Sequence, residues 1–293
     1  NAPATVTGDT TVSVSTYNWD GQAETSNTTV LLGSVLTVTS ATTDPDDGDY
    51  DATLSIVGGT VSLSSANPWE LSPTGVLRLS AAGPIQPRMN GTTQVRLRGR
   101  IESSASSARI DNPVRPAGGT FDVTAGELEL TGPFSSAPGT VIPKTGAGTL
   151  RLSGPQAHGA GVDLNVSAGT VEIASDPGGG GGIANLGVNV SAGAVVFDAP
   201  VASVRALNVT GAGRATLAPS GSRVMRTNVL LIGGQGVVDL ADNLAIVDYP
   251  AIGPSPELSL AVAIAAAFNA GRWDLPGLTS SVAAADAPGA TTV

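Results

Sequence analysis

Short runs in which an aliphatic residue alternates with a polar one recur along this chain, and a glycine opens each of the clearest. Gly126-Glu-Leu-Glu-Leu130, Gly148-Thr-Leu-Arg-Leu152, Gly169-Thr-Val-Glu-Ile173, Gly193-Ala-Val-Val-Phe197, Gly213-Arg-Ala-Thr-Leu217 and Gly236-Val-Val-Asp-Leu240 share one shape. The steps between the six glycines are 22, 21, 24, 20 and 23 residues. Strict alternation is the period of a strand with one buried face, not of a helix. A near-constant step of this size marks a solenoid in which each repeat is one coil stacked on the last. Leu128, Leu130, Leu150, Leu152, Val171 and Ile173 are the expected inward rows. Gly126, Gly148, Gly169, Gly193, Gly213 and Gly236 are the expected turn glycines, placed where a corner needs φ > 0.

Several units carry a second alternating run before the glycine, as at Val162–Val166, Val188–Val190 and Ala206–Val209. About 22 residues per coil then leaves room for a third, shorter strand. Less regular coils begin near Asp51 with Thr53–Ile56, Thr60–Leu63, Val76–Leu79 and Gln94–Arg98, and Ala105–Pro113 reads as an excursion. The pattern predicts an all-β solenoid over residues 41–250, preceded by an arm and first strands over 1–40. Thr10–Thr16 alternates, and through Thr11, Val12, Val14 and Thr16 this arm either caps its own solenoid or pairs with an exposed strand of another copy. Residues 251–293 hold the predicted helix, Leu258–Phe268, with Pro256 at its first position and Asn269-Ala-Gly271 as its end. Leu258, Val262, Ala265 and Phe268 share one face, suited to capping the last coil or packing on a neighbouring subunit.

Composition narrows the chemistry. Charged residues are 13% of the chain, against about 25% in ordinary globular proteins, so the polar side of each strand is mostly Thr, Ser and Asn. The net charge is −10 and Lys144 is the sole lysine, which argues against nucleic-acid binding. No apolar run reaches the roughly 18 residues of a membrane helix. With no cysteine and one histidine, His158, most zinc sites and any Cys-His pair are excluded within this chain. His158 lies in Gly154–Gly161, which reads as a turn-like loop. Asp122, Asp163 and Asp198 fall in separate coils without a neighbouring lysine, so a polysaccharide lyase is the least favoured function.

Charge is unevenly spread. Residues 1–60 carry eight acids and no Lys or Arg, whereas residues 61–120 carry seven arginines and three acids. Such a split can make a dipolar rod whose ends or sides attract other copies, or can simply be neighbouring solvated coils. The cluster Asp44, Asp46, Asp47 and Asp49 has the carboxylate density a hard cation such as Ca²⁺ prefers, although it departs from the EF-hand spacing. A solvated turn guarding an edge strand is its plainer reading. Arg96, Arg98 and Arg100, two residues apart, are expected on the outward face of one strand, where they could bind acidic sugars or face the acidic coils.

Lys144-Thr-Gly-Ala-Gly-Thr-Leu-Arg-Leu-Ser-Gly154, followed by Asn165-Val-Ser-Ala-Gly-Thr-Val-Glu-Ile173, resembles the autotransporter-associated β-strand repeat. Clear matches cover residues 118–241. The resemblance implies a right-handed parallel β-helix on the outside of a bacterial cell, serving as adhesin, stalk or matrix component. Asp239–Asp248 and Ala270–Ser281 look like the tail that follows such repeats in large secreted bacterial proteins. A start at Asn1 without a methionine is what a processed, secreted chain would show. The expected function is therefore a non-catalytic extracellular rod that joins other copies of itself, with no cofactor unless calcium. A surface adhesin or carbohydrate-binding module, using Arg96, Arg98 and Arg100 or Trp19, Trp69 and Trp273 on a surface polysaccharide, is the alternative.

Overall fold

The computed structural model describes residues 4–13, 28–39, 49–64, 68–81, 83–179, 185–249 and 255–286. The chain is a parallel β-solenoid whose coils lie about 23 residues apart. Its strands form three sheets. The first has 12 strands, from Ala4–Val6 to Leu244–Val247, and the second has 12, from Thr10–Ser13 to Gly277–Thr279. The third has six strands, from Asp49–Tyr50 to Gln156–His158. Each strand pairs in parallel with its equivalent one coil on. Twelve rungs at the spacing of a sheet, about 4.8 Å, make a column roughly 50 Å long.

Alternation decides what enters the core. In the second sheet Ala108, Leu128, Leu150, Val171, Val195, Ala215 and Val238 fall in one register column, all buried. Each contributes about 1.5–3 kcal/mol through burial if its side chain is Val or Leu. All six turn glycines stack so closely on the preceding coil that a Cβ would lie 2.2–2.8 Å from its backbone, and three of them also need a left-handed φ. Gly126, Gly169 and Gly193 have φ of 58°, 64° and 82°, the left-handed corner expected. Gly148, Gly213 and Gly236 do not. At these three, a Cβ would lie 2.8, 2.3 and 2.4 Å from a backbone atom of the preceding coil, so close stacking excludes any side chain.

Ala4–Val6, Thr10–Ser13, Thr28–Val30 and Val35–Thr39 contribute the first rungs of the same sheets. Thr10–Ser13 pairs with Val35–Thr39 of its own chain, with Thr11 opposite Thr37 and Val12 opposite Val38. Val14 and Thr16 lie outside the described residues. The expected excursion at Ala105–Pro113 is instead regular coil. Ser107–Ile110 pairs with Glu127–Leu130 in the second sheet, and Ala105 and Ala108 are buried. Gln156–His158, expected as a loop, is the last strand of the third sheet.

The C-terminal helix spans Glu257–Phe268, begins after Pro256 and ends at Asn269, whose φ is 41°. Its docking face differs from the one expected. Ala267 is buried and Leu260 and Ala263 pack on the core, whereas Leu258, Val262 and Phe268 are 76%, 62% and 45% exposed. Ala265 is exposed as well. The helix is apolar all round, so periodicity alone does not select a face. Small residues do. A Cβ on Gly277 would lie 2.3 Å from Ala263 O and 3.3 Å from Ala267 Cβ, so alanine meeting glycine permits the close approach. A second short helix, Ser281–Ala285, follows, with Ser280 Oγ accepting from the backbone N–H of Ala283 at 3.0 Å.

Candidate functional site

The outward face of the second sheet carries a ladder of alternating charge. Arg109, Glu129, Arg151 and Glu172 occupy one register column in successive coils. Arg151 contacts Glu172, lies 3.6 Å from Glu129 Oε1 and reaches to 3.8 Å from Asp198 Oδ2. Asp198 in turn receives Arg223 Nη2 at 2.6 Å. At the other end Asp111 is held by Arg88 at 2.5 Å and by Arg109 and Thr131. Burial works against the Asp111 carboxylate, but bonds from Thr131, Arg109 and Arg88 hold its pKa below the usual range. The coils are thus clasped to one another along the axis. Arg151→Ala leaves three neighbouring carboxylates without their shared cation, and we expect a loss of about 1 kcal/mol in urea unfolding at low salt. The loss should shrink at 1 M salt, where the Debye length falls to about 3 Å.

Arg96, Arg98 and Arg100 do not share one strand. The corner at Gly99 separates Val95–Leu97 in the third sheet from Arg100–Ser103 in the first. A Cβ on Gly99 would lie 2.2 Å from Ser72 O, so the chain turns against the previous coil there. Arg96 and Arg98 grip the two oxygens of Glu70 at 3.0 and 2.7 Å, and Arg100 pairs with Glu102 at 2.5 Å. Glu70 is 4% exposed, so its two arginines neutralise a buried charge. This pairing sits 26 and 28 residues away in sequence, beyond the reach of strand spacing.

Two further titratable groups are withdrawn from solvent, Lys144 fully and His158 in part. Lys144 occupies a core position of the first sheet, between Phe121 and Val166, with no exposed surface. Its Nζ donates to the carbonyls of Thr145 at 2.7 Å, Gly146 at 2.9 Å and Ala168 at 3.2 Å. Burial pulls its pKa down to about 8, with Asp122 opposing. His158 packs edge-on against Phe134 at 5.5 Å, with Ser136 Oγ 3.3 Å from Nδ1 and Gln156 Oε1 3.1 Å from Nε2. Burial pushes its pKa down to about 4.

The remaining candidates scatter. Asp122 accepts from Thr145 at 3.0 Å, Asp163 pairs with Arg205 at 2.6 Å, and Asp198 belongs to the ladder. Asp44, Asp46 and Asp47 lie outside the described residues, as does the side chain of Asp49, whose backbone starts the first strand of the third sheet. Trp69 is buried beside Tyr50, with rings 5.6 Å apart, and Trp19 lies outside the described residues.

Two grooves flank the C-terminal tail. One, of about 620 Å³, mixes charged and apolar side chains and is lined by Arg214, Gln235, Asp239, Arg272, Trp273 and Leu275 among others. Trp273 meets Phe268 edge-on at 5.1 Å, and Asp239 is engaged by the backbone N–H groups of Ala241 and Ser281, each at 2.8 Å. The other, of about 890 Å³, lies between the end of the first sheet and the helix Glu257–Phe268. Val229, Leu230 and Ile232 form its floor, Val247 and Tyr249 one wall, and Leu258 and Val262 the other. Comparison of the chain with family models, with curated proteins and with solved structures finds no match.

Proposed function

We propose that this chain is a non-catalytic structural rod at a bacterial surface, which joins other copies of itself into a fibre or matrix. The observation that carries the reading is the axial clasp. The ladder from Arg88 to Asp198 and Arg223 links coil to coil, so the outer charges brace the column. An asparagine row does the same on the first sheet, with Asn189 donating to Asn165 at 2.8 Å and Asn208 to Asn189 at 2.7 Å. Among the described residues the rungs at both ends of the first sheet have one neighbour each, Ala4–Val6 on Thr28–Val30 and Leu244–Val247 on part of Val224–Ile232. A strand with one neighbour presents unpaired backbone groups, which favour joining. The autotransporter-repeat resemblance and an extracellular location belong to this proposal. Sedimentation velocity over a concentration series tests it: mass should rise with concentration, and a single monomer species throughout would overturn self-association.

The groove lined by Trp273 favours a second reading, a carbohydrate-binding module. Trp273 offers a ring beside Arg214 and Arg272, a combination suited to acidic sugars. Titration of tryptophan fluorescence with an acidic polysaccharide separates the two, because a pure scaffold shows no shift and Trp273→Ala abolishes one that comes from this groove.

A further inference from the structure

The charges of the third sheet do not alternate as those of the second do. Asp49, Glu70, Arg96, Arg115, Ser135 and Ala157 follow one another in one register column. Arg96 and Arg115 therefore stand on adjacent strands about 4.8 Å apart, where like charges repel. Arg96 shares Glu70 with Arg98, whereas Arg115 is exposed and has no carboxylate partner among the described residues. Across the corner at Gly99, Arg100 shares Glu102 with Arg78. Five arginines and two acids thus form a ridge along this corner, with a charge of +3 in a chain of net charge −10. The flanking acids, Asp51 and Asp122, accept from the hydroxyls of Thr74 and Thr145.

We propose that this ridge binds an acidic polysaccharide, whose carboxylate or sulfate groups pair with Arg96, Arg98, Arg100 and Arg115. The site is separate from the Trp273 groove and does not depend on how copies of the rod join. It is preformed. Glu70 and Glu102 fix four of the guanidinium groups, yet each arginine keeps nearly half of its side chain exposed. A guanidinium carries five N–H donors, so one carboxylate leaves donors for an anion from outside.

The surface suits a hydrated polymer better than a protein. From residue 86 to residue 140 no large apolar side chain is exposed, so the ridge lacks the apolar core of a protein interface. The corner one coil on, Ala117-Gly118-Gly119, carries nothing longer than a methyl group, and a Cβ on Gly118 would meet nothing within 4 Å. No long side chain stands there between the ridge and an arriving chain.

Isothermal titration calorimetry of the full chain with alginate, a polyuronate, tests the assignment, with dextran as the neutral control. Alginate should bind at about 0.05 M salt and lose most of its affinity at about 0.5 M, where screening is strong. Dextran should not bind. Arg115→Ser breaks no ion pair among the described residues and should weaken alginate binding about tenfold, the worth of one hydrogen bond to a charged group. Arg226→Ser is the control for net charge, since Arg226 is exposed near the C-terminal end of the first sheet. It should change the affinity less than about twofold, being well beyond the Debye length from the ridge. Absence of alginate binding overturns the proposal, as do equal losses from Arg115→Ser and Arg226→Ser. A loss in Trp273→Ala with none in Arg115→Ser moves the site to the Trp273 groove. Should Arg115→Ser instead lower the mass seen in sedimentation without polysaccharide, the ridge takes a second copy and the proposal fails.

Discussion

Gly154→Val is expected to destabilise the fold by about 3 kcal/mol or more, the upper range for overpacking. A Cβ at Gly154 would lie 2.0 Å from Gly132 O and 2.5 Å from Thr131 O. Backbone fixes the Cβ position, so no rotamer relieves the clash. The coil must move away from its neighbour and weaken the bonds from Gly154 N and Ser153 N to Leu130 O, now 3.0 and 3.1 Å. Loss of one such bond costs about 1 kcal/mol more. Gly233→Ala is the control, since its Cβ meets Thr210 Cγ2 at 3.7 Å; it should change stability by less than about 0.5 kcal/mol. Urea unfolding followed by circular dichroism reads both. Equal midpoints for Gly154→Val and the unaltered chain would contradict the stacking of these two coils.

The second large effect is on stability as a function of pH. Lys144 titrates near 8 in the fold but near 10.5 as an exposed lysine. Between these values the unfolded chain binds more protons, so stability rises with pH. At ~1.4 kcal/mol per pH unit the rise is about 3 kcal/mol. His158 gives a second rise by the same sign, from its folded value of about 4 to 6.5. The carboxylates with depressed pKa, such as Asp111, add a separate acid-side loss. Unfolding free energy measured from pH 4 to 10.5 should therefore climb in two windows. Lys144→Met should flatten the upper window and His158→Gln that part of the lower one which belongs to the imidazole. The slope is the read-out, because Met also leaves the carbonyls of Thr145, Gly146 and Ala168 without their donor. An unchanged upper slope in Lys144→Met would show that the ammonium is not buried.

The parts of this fold that were legible in the sequence are those with a short period. Gly148-Thr-Leu-Arg-Leu152 announces a strand, an inward pair and a corner, and one repeat step places its neighbours. Third-sheet strands such as Val95–Leu97 and Val114–Pro116 are three residues long, too short for alternation to separate them from loop. That is why the corner at Gly99 went unseen and Arg96, Arg98 and Arg100 read as one face. Lys144 was illegible for a different reason. A lysine beside Thr-Gly-Ala-Gly reads as solvated corner, and only the three carbonyls converging on Nζ make an inward position tolerable. Leu258 and Val262 misled because every face of that helix is apolar. Its contact is chosen by Ala263 and Ala267 meeting Gly277, a match of small residues across ten or more positions.

The central proposal is that this rod joins other copies of itself end to end through the one-neighbour strands at its ends, of which Ala4–Val6 is one. Negative-stain electron microscopy of the purified chain, with and without residues 1–20, tests it most directly. The account predicts filaments about one solenoid wide from the full sequence and only isolated short rods after truncation. Isolated rods from both samples, or filaments that survive the truncation, would contradict it.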